Sequence, residues 1–459
     1  MHTPSPKLST RRDFIANTGK LAAASALAGV ALPYVHAAGS DMVQIALVGC
    51  GGRGTGAAGN AMSTKSGQTR LVAMADVFEN RLKDSFSGLK GQFRDKVQVP
   101  DDYKFIGFDG YKSAIDTLRK GDVAIFATPP GFRWVHFQYA IEKGVNVFME
   151  KPVVVDGPGG RRMFKLAEEA TAKNLKVGVG LMCRHCKTRQ ELFRRVKEGE
   201  IGEIIAMRAY RMHGPVGSAF TNPRPADKTN ELLWQISRFH SFLWASGGCF
   251  SDFYIHNIDE SCWIKDAWPV QAQASGGRMY RGEAIDQNFD NYSVEYTFGD
   301  GTKLFLYGRT MPGVHDEFAS YAHGSKGLAV ISSEGHWPSK ARIYKGHRLD
   351  NAEIAWRAPK EGPELNPYVV EWDDLLDAIR NDKPYNEVKR GVQASLVTAM
   401  GRMAAHTGQI VKYDDILNSD HEFAPGLDKL TMDSPAPVLA DASGAYPIPQ
   451  PGKKKMREY

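Results

Sequence analysis

The chain has 459 residues, of which 42% are hydrophobic, 24% charged and 10% aromatic. This is the balance of a globular chain long enough for two or three domains, and it excludes collagen-like, coiled-coil and disordered classes. A scattered net charge of +6 gives no reason to expect nucleic acid, five cysteines are too few for a disulfide scaffold, and a single apolar run, Leu21–Ala38, excludes a polytopic membrane protein.

Residues 1–40 read as a targeting segment outside the fold. Thr10-Arg11-Arg12-Asp13-Phe14-Ile15 is a twin-arginine pattern, the apolar run follows it, and Val35-His36-Ala37 offers small residues for cleavage. The expectation is an exported, periplasmic protein delivered by the twin-arginine machinery and not integral to the membrane. Four Lys or Arg against one Asp in this segment account for about half of the net charge.

Strands and helices then alternate. Met42–Val48, Arg70–Ala75, Val123–Ala127, Asn146–Met149 and Lys176–Val179 read as buried strands. Ala57–Met62 and Trp134–Lys143 read as helices, the second closed by Gly144. Alternation of this kind predicts an α/β domain over residues 41–182 with a parallel sheet and crossover helices. Beyond residue 200 the strands Ile204–Arg211, Gln271–Ser275, Asn291–Phe298, Lys303–Tyr307 and Leu328–Ser332 are separated by turn signals such as Gly299-Asp300-Gly301. They predict an α+β domain over 183–418 with a large, mainly antiparallel open sheet. Helices are expected at Phe250–Ile264, Glu371–Arg380 and Val392–His406. The Pro/Gly-rich residues 419–459 read as an extended, partly disordered tail.

Gly49-Cys50-Gly51-Gly52-Arg53-Gly54 matches G-x-G-x-x-G between a strand and a helix, the context of a Rossmann phosphate loop. Gly49 makes the tight turn, Gly51 lets a pyrophosphate approach, and Gly54 lets helix and strand pack closely. The helix N-terminus adds N–H donors and partial positive charge. Asp76, 22 residues after Gly54, ends the second strand where a carboxylate accepts both ribose hydroxyls of NAD and repels a 2′-phosphate. Arg81, one turn on, leaves NADP open as an alternative.

Glu150-Lys151-Pro152 ends the strand Asn146–Met149, and Thr128-Pro129-Pro130 ends its neighbour, both where a doubly wound sheet faces its ligand. Together with the glycine loop, the Asp252-x-x-x-His256 pair and the late Thr407-Gly408-Gln409-Ile410-Val411, these residues resemble the Gfo/Idh/MocA family of glucose–fructose oxidoreductases and inositol dehydrogenases. The resemblance covers nearly the whole chain after residue 40. It implies an N-terminal Rossmann domain followed by an open-sheet domain whose face mediates homodimers or homotetramers. It also implies catalysis by Lys151, His256 and Asp252, with Lys151 stabilising an alkoxide, His256 as general base, and Asp252 orienting the imidazole or binding sugar. The expected dinucleotide contacts are Gly49, Gly51, Gly52, Arg53, Gly54, Asp76, Arg81, Thr128, Pro129, Glu150 and Lys151.

The chain departs from the family in two places. Arg133 stands where many members carry a His after the Thr-Pro pair. The loop after Lys176–Val179 reads Met182-Cys183-Arg184-His185-Cys186 instead of carrying Asn and Arg. Arg184 and His185 are candidate substrate contacts, as are Arg238 and Trp244, whose ring suits stacking on a sugar. Cys183 and Cys186 have dithiol spacing, but no second cysteine pair completes a zinc site; loop packing or a local disulfide is expected. The remaining histidines, His240 among them, are scattered and define no metal centre.

Export constrains the chemistry, because no large free NAD pool exists outside the cytoplasm. The sequence therefore predicts an oxidoreductase that moves hydride to or from a hydroxyl of a sugar, glycoside or cyclitol and keeps its cofactor bound. Two alternatives stand beside it. One is an NAD-dependent glycosidase working by transient oxidation and elimination, although such enzymes of similar fold lack an intact Glu-Lys-Pro. The other is a sugar- or dinucleotide-binding protein without turnover.

Overall fold

A computed structural model describes residues 42–224, 230–335, 340–359 and 366–459. The expected export signal, residues 1–40, lies outside them.

The first sheet has six parallel strands in the order β3-β2-β1-β4-β5-β6. Its elements run β1 (Val43–Val48), α1 (Gly52–Ser63), β2 (Thr69–Asp76), α2 (Glu79–Phe93), β3 (Lys104–Ile106), α3 (Gly110–Asp116), β4 (Val123–Phe126), α4 (Arg133–Lys143), β5 (Asn146–Met149), α5 (Gly157–Ala172) and β6 (Val177–Val179). The strands β1, β4 and β5 are short apolar runs because helices cover both faces and nearly every residue is buried. The strand order reverses between β1 and β4, so the chain leaves these two strands in opposite directions and opens a crevice at their carboxyl ends.

After α6 (Lys187–Lys197) comes the second sheet, nine strands in the order β14-β13-β12-β11-β7-β10-β9-β8-β15. Its elements are β7 (Ile204–His213), α7 (Glu231–Ser237), α8 (Gly248–Lys265), β8 (Pro269–Gly277), β9 (Asn291–Phe298), β10 (Lys303–Thr310), β11 (Glu317–Gly324), β12 (Leu328–Ser333), β13 (Arg342–Tyr344), β14 (Ile354–Arg357), α9 (Pro367–Arg380), α10 (Val388–Thr407), β15 (Val411–Lys412) and α11 (Tyr413–Leu417). Only β7 and β10 pair in parallel; the other neighbours are antiparallel.

Helix α8 organises the second domain. Sixteen of its 18 residues are buried, so it is enclosed on all sides and its polar side chains must find partners inside the protein. Asp259 pairs with Arg184, Glu260 with Arg189 and Ser332, and Asn257 donates to the Ala319 carbonyl and the Ser320 hydroxyl. The helix also sits hard against the sheet: a Cβ at Gly308 of β10 would come within 2.1 Å of the Tyr254 ring.

Residues 419–459 contain no strand or α-helix, yet they are packed, contrary to the expected extended tail. Phe423, Leu427, Val438 and Tyr446 are buried. Glu458, 4% exposed, makes two 2.9 Å bonds to the Arg402 guanidinium and meets His406 Nδ1 at 2.7 Å. No disulfide joins Cys183 and Cys186; both are buried in and beside the 3-10 turn Met182–His185. Among the described residues, no helix is long and apolar enough to cross a membrane.

Candidate active site

A cleft of about 300 Å³ opens at the carboxyl ends of β1, β2, β4 and β5. The glycines shape its floor. Gly49 has φ +95°, and a Cβ there would meet Ala127 C at 2.6 Å; one at Gly54 would meet the Gly49 carbonyl oxygen at 1.9 Å. Gly51 and Gly52 have nothing within 4 Å of the Cβ position, so the backbone at the start of α1 is open to the cleft. Helix α1 has no side-chain cap and no acid in its first turn, which leaves its N–H groups available to an anion.

Asp76 ties the adenosine side together. Its Oδ2 accepts the Cys50 backbone N–H at 2.7 Å and its Oδ1 that of Phe78 at 2.8 Å. Burial raises its pKa, against the lowering effect of those bonds and of Arg81. The Arg81 guanidinium stacks 4.6 Å over Phe78 and donates to the Ser237 carbonyl at 3.3 Å. A loop with open backbone above two tightly packed glycines, a carboxylate at the end of β2 and the volume of the cleft fit a dinucleotide. Of the expected contacts all line the cleft except Gly54, which packs beneath Gly49.

The other end is built from charges. Glu150, 4% exposed, receives Arg53 Nε at 2.9 Å and packs on Gly180, fixing the end of β5. The next residue, Lys151, crosses to α8, where Nζ donates to the Asp252 carbonyl at 2.6 Å and lies 3.5 Å from its carboxylate. The second Asp252 oxygen meets His240 Nε2 at 3.3 Å. Burial would raise Asp252, but Lys151, His240 and His256 together hold it well below the usual carboxylate range. His256 lies one turn further along α8 and does not line the cleft. Burial and the nearby charges of Lys151 and Arg211 push it well below its ordinary value, so its imidazole is neutral.

His240 is one of two cleft histidines that the sequence did not reveal. It lies on the 3-10 turn Phe239–Ser241 and lines the cleft. The irregular turn gives it no periodic spacing from Asp252, so the sequence carries no local signal of the pairing. Arg133 and His136 also line the cleft. Thr128 Oγ1 lies 3.2 Å from His136 Nδ1 and accepts from Arg133 Nη1 at 3.3 Å. Burial and the Arg133 charge push His136 down to about 3.

The four candidate substrate contacts lie elsewhere. Arg184 places Nε and Nη2 on the Asp259 carboxylate at 2.8–3.2 Å, as counterion to a buried acid of α8. His185 is buried between Asp374 at 2.7 Å and Glu387 at 3.2 Å. Trp244 is fully buried, its indole N–H donating to Gln235 at 2.7 Å, with no face left for a sugar ring. Arg238 is exposed at the end of α7 and does not line the cleft.

Residues 43–179 match the family model GFO_IDH_MocA, described as an oxidoreductase family with an NAD-binding Rossmann fold. The inositol 2-dehydrogenase of Rhizobium meliloti is 22% identical over 280 residues, 60% of this chain and 72% of that protein. The aldose-aldose oxidoreductase of Caulobacter crescentus superposes with a TM-score of 0.59 at 16% identity, over 81% of this chain and 99% of that one. The scyllo-inositol dehydrogenase of Lactobacillus casei, solved with bound NAD(H) and scyllo-inositol, superposes with a TM-score of 0.57 at 19% identity, over 81% and 99%. The chain is an NAD-binding oxidoreductase whose residues 43–179 match the Rossmann domain model of that family.

Proposed function

We propose that the protein is an exported oxidoreductase that moves hydride between a tightly held NAD and a hydroxyl-bearing carbon of a sugar, glycoside or cyclitol. The observation that carries the reading is Lys151, which lines the cleft next to Glu150 and is held to Asp252 of α8. The dinucleotide supplies the hydride acceptor or donor at its nicotinamide ring. Lys151 presents a compact positive charge to the reacting oxygen and stabilises the alkoxide character that develops there. Asp252 stays ionised and keeps Lys151 in position, while His240 fixes Asp252. His256 is held neutral one turn along α8 from Asp252 and off the cleft wall, so it does not meet the hydroxyl proton directly. The relatives that act on inositols and aldoses support a polyhydroxylated ring as substrate.

Retention of the cofactor is supported by residues 419–459. Leu427, Asp428 and Leu430 form part of the cleft wall. The segment carrying them is fastened on both sides: Phe423 N–H donates to Asp156 at 3.0 Å, Gln235 donates to the Val438 carbonyl at 2.6 Å, and Glu458 is locked to Arg402. The open face of the second sheet, where Ile205 and Tyr307 are exposed, suits assembly into a homodimer or homotetramer.

Protein recovered after native export, denatured and analysed by mass spectrometry, should release a stoichiometric dinucleotide. The loaded enzyme should convert a sugar or cyclitol to a keto product. Dinucleotide-free protein would overturn the retention reading. Release of an aglycone from a nitrophenyl glycoside would shift the activity to glycoside cleavage.

A further inference from the structure

Arg133 opens α4, lines the cleft and is 1% exposed. Among the described residues its side chain makes one hydrogen bond, from Nη1 to the Thr128 hydroxyl at 3.3 Å, and Nε meets no acceptor. The two carboxylates that feel its charge are already engaged, Glu150 by Arg53 and Asp252 by Lys151 and His240. A guanidinium has five N–H donors, and one left buried without an acceptor, as Nε is here, is costly. Burial duly pulls Arg133 down to about 10.

Its position limits which anion could satisfy it. The glycine loop and Asp76 mark the adenosine and pyrophosphate end of the cleft. Arg133 binds Thr128 just past the end of β4 and lines the same cleft wall as Glu150, Lys151 and Asp252, away from Asp76 at the end of β2. Thr128 accepts from Arg133 and is itself held against His136 Nδ1, an arrangement that orients the guanidinium. A planar fork matches a carboxylate with two parallel bonds, and one monoanion neutralises one buried cation, whereas a phosphate dianion would leave a buried negative charge.

We propose that Arg133 receives a carboxylate carried by the substrate, so that the enzyme acts on an acidic sugar, a uronate or aldonate, held with its carboxylate on Arg133 and its reacting hydroxyl at Lys151. The assignment rests on the oxidoreductase reading for the identity of the reacting group.

The test is binding to NADH-loaded protein, read by calorimetry for hexuronates and aldonates paired with their neutral hexoses, with turnover followed separately. The wild type should bind at least one acid about 10- to 100-fold more tightly than its neutral counterpart. Arg133→Gln should erase the difference, Arg133→Lys should restore part of it, and NADH affinity should be unchanged in both. Arg133→His serves as a third variant should the glutamine protein fail to fold. Acids bound no better than neutral sugars, a preference that survives in Arg133→Gln, or loss of NADH with the variant would each overturn the proposal. Selective acid binding without turnover would instead count against the oxidoreductase reading.

Discussion

His240 Nε2 lies 3.3 Å from Asp252 Oδ2, and the same ring's Nδ1 faces the Ser218 backbone N–H at 3.3 Å and its hydroxyl at 3.1 Å. A backbone N–H can only donate, so Nδ1 is the acceptor and the ring proton sits on Nε2, aimed at Asp252. Asp252 in turn anchors Lys151. His240 is thus a positioning residue, and His240→Ala should lower kcat about 10- to 100-fold while leaving dinucleotide affinity within about threefold. His240→Gln, whose amide can still donate to Asp252, should recover much of the loss. Steady-state kinetics beside a fluorescence titration with NADH checks both; equal rates in the alanine variant and the wild type would contradict the role.

The glycine loop allows a paired prediction. At Gly54 a Cβ would collide with the Gly49 carbonyl, whereas at Gly51 it would enter open space. Gly54→Ala should therefore cost about 1–3 kcal/mol of stability along with dinucleotide binding. Gly51→Ala should melt like the wild type yet bind NAD at least about tenfold more weakly, because its methyl group occupies ligand space. Thermal melts with and without NAD distinguish the two.

His185 gives the protein a pH-dependent stability. Burial disfavours its charge, but Asp374 and Glu387 overcome this and push it up to about 9 from 6.5. A raised folded-state pKa means that the stabilisation is complete below about 6.5 and is lost as pH rises through about 9. The urea midpoint should fall across that window in the wild type and much less in His185→Gln. Parallel curves for the two proteins would show that the ion pairs contribute nothing.

Much of this was legible in the sequence because the signals are local. The strand Asn291–Phe298 has the residues its alternation predicts, and the glycine loop joins a strand to a helix as its spacing requires. Lys151 lies at a strand end facing the crevice. What the sequence concealed depends on pairing between distant segments. Arg184 and His185 follow a strand of the first sheet and so resemble substrate contacts, but Asp259, Asp374 and Glu387 claim them from up to about 200 positions away. Trp244 sits in an aromatic stretch that reads equally as a binding face or as core. The apolar residues of 419–459 are too widely spaced for any periodicity, so the packing of that segment showed only in three dimensions.

The hydride chemistry proposed for this cleft centres on Lys151. It is tested most directly by rapidly mixing the NAD-loaded protein with a sugar or cyclitol and following the absorbance of the reduced nicotinamide in a single turnover. The wild type should develop this absorbance, and Lys151→Ala, retaining its NAD, should be slower by at least about a hundredfold. Reduction at the wild-type rate in Lys151→Ala, or none in fully loaded wild type with any polyol offered, would contradict it.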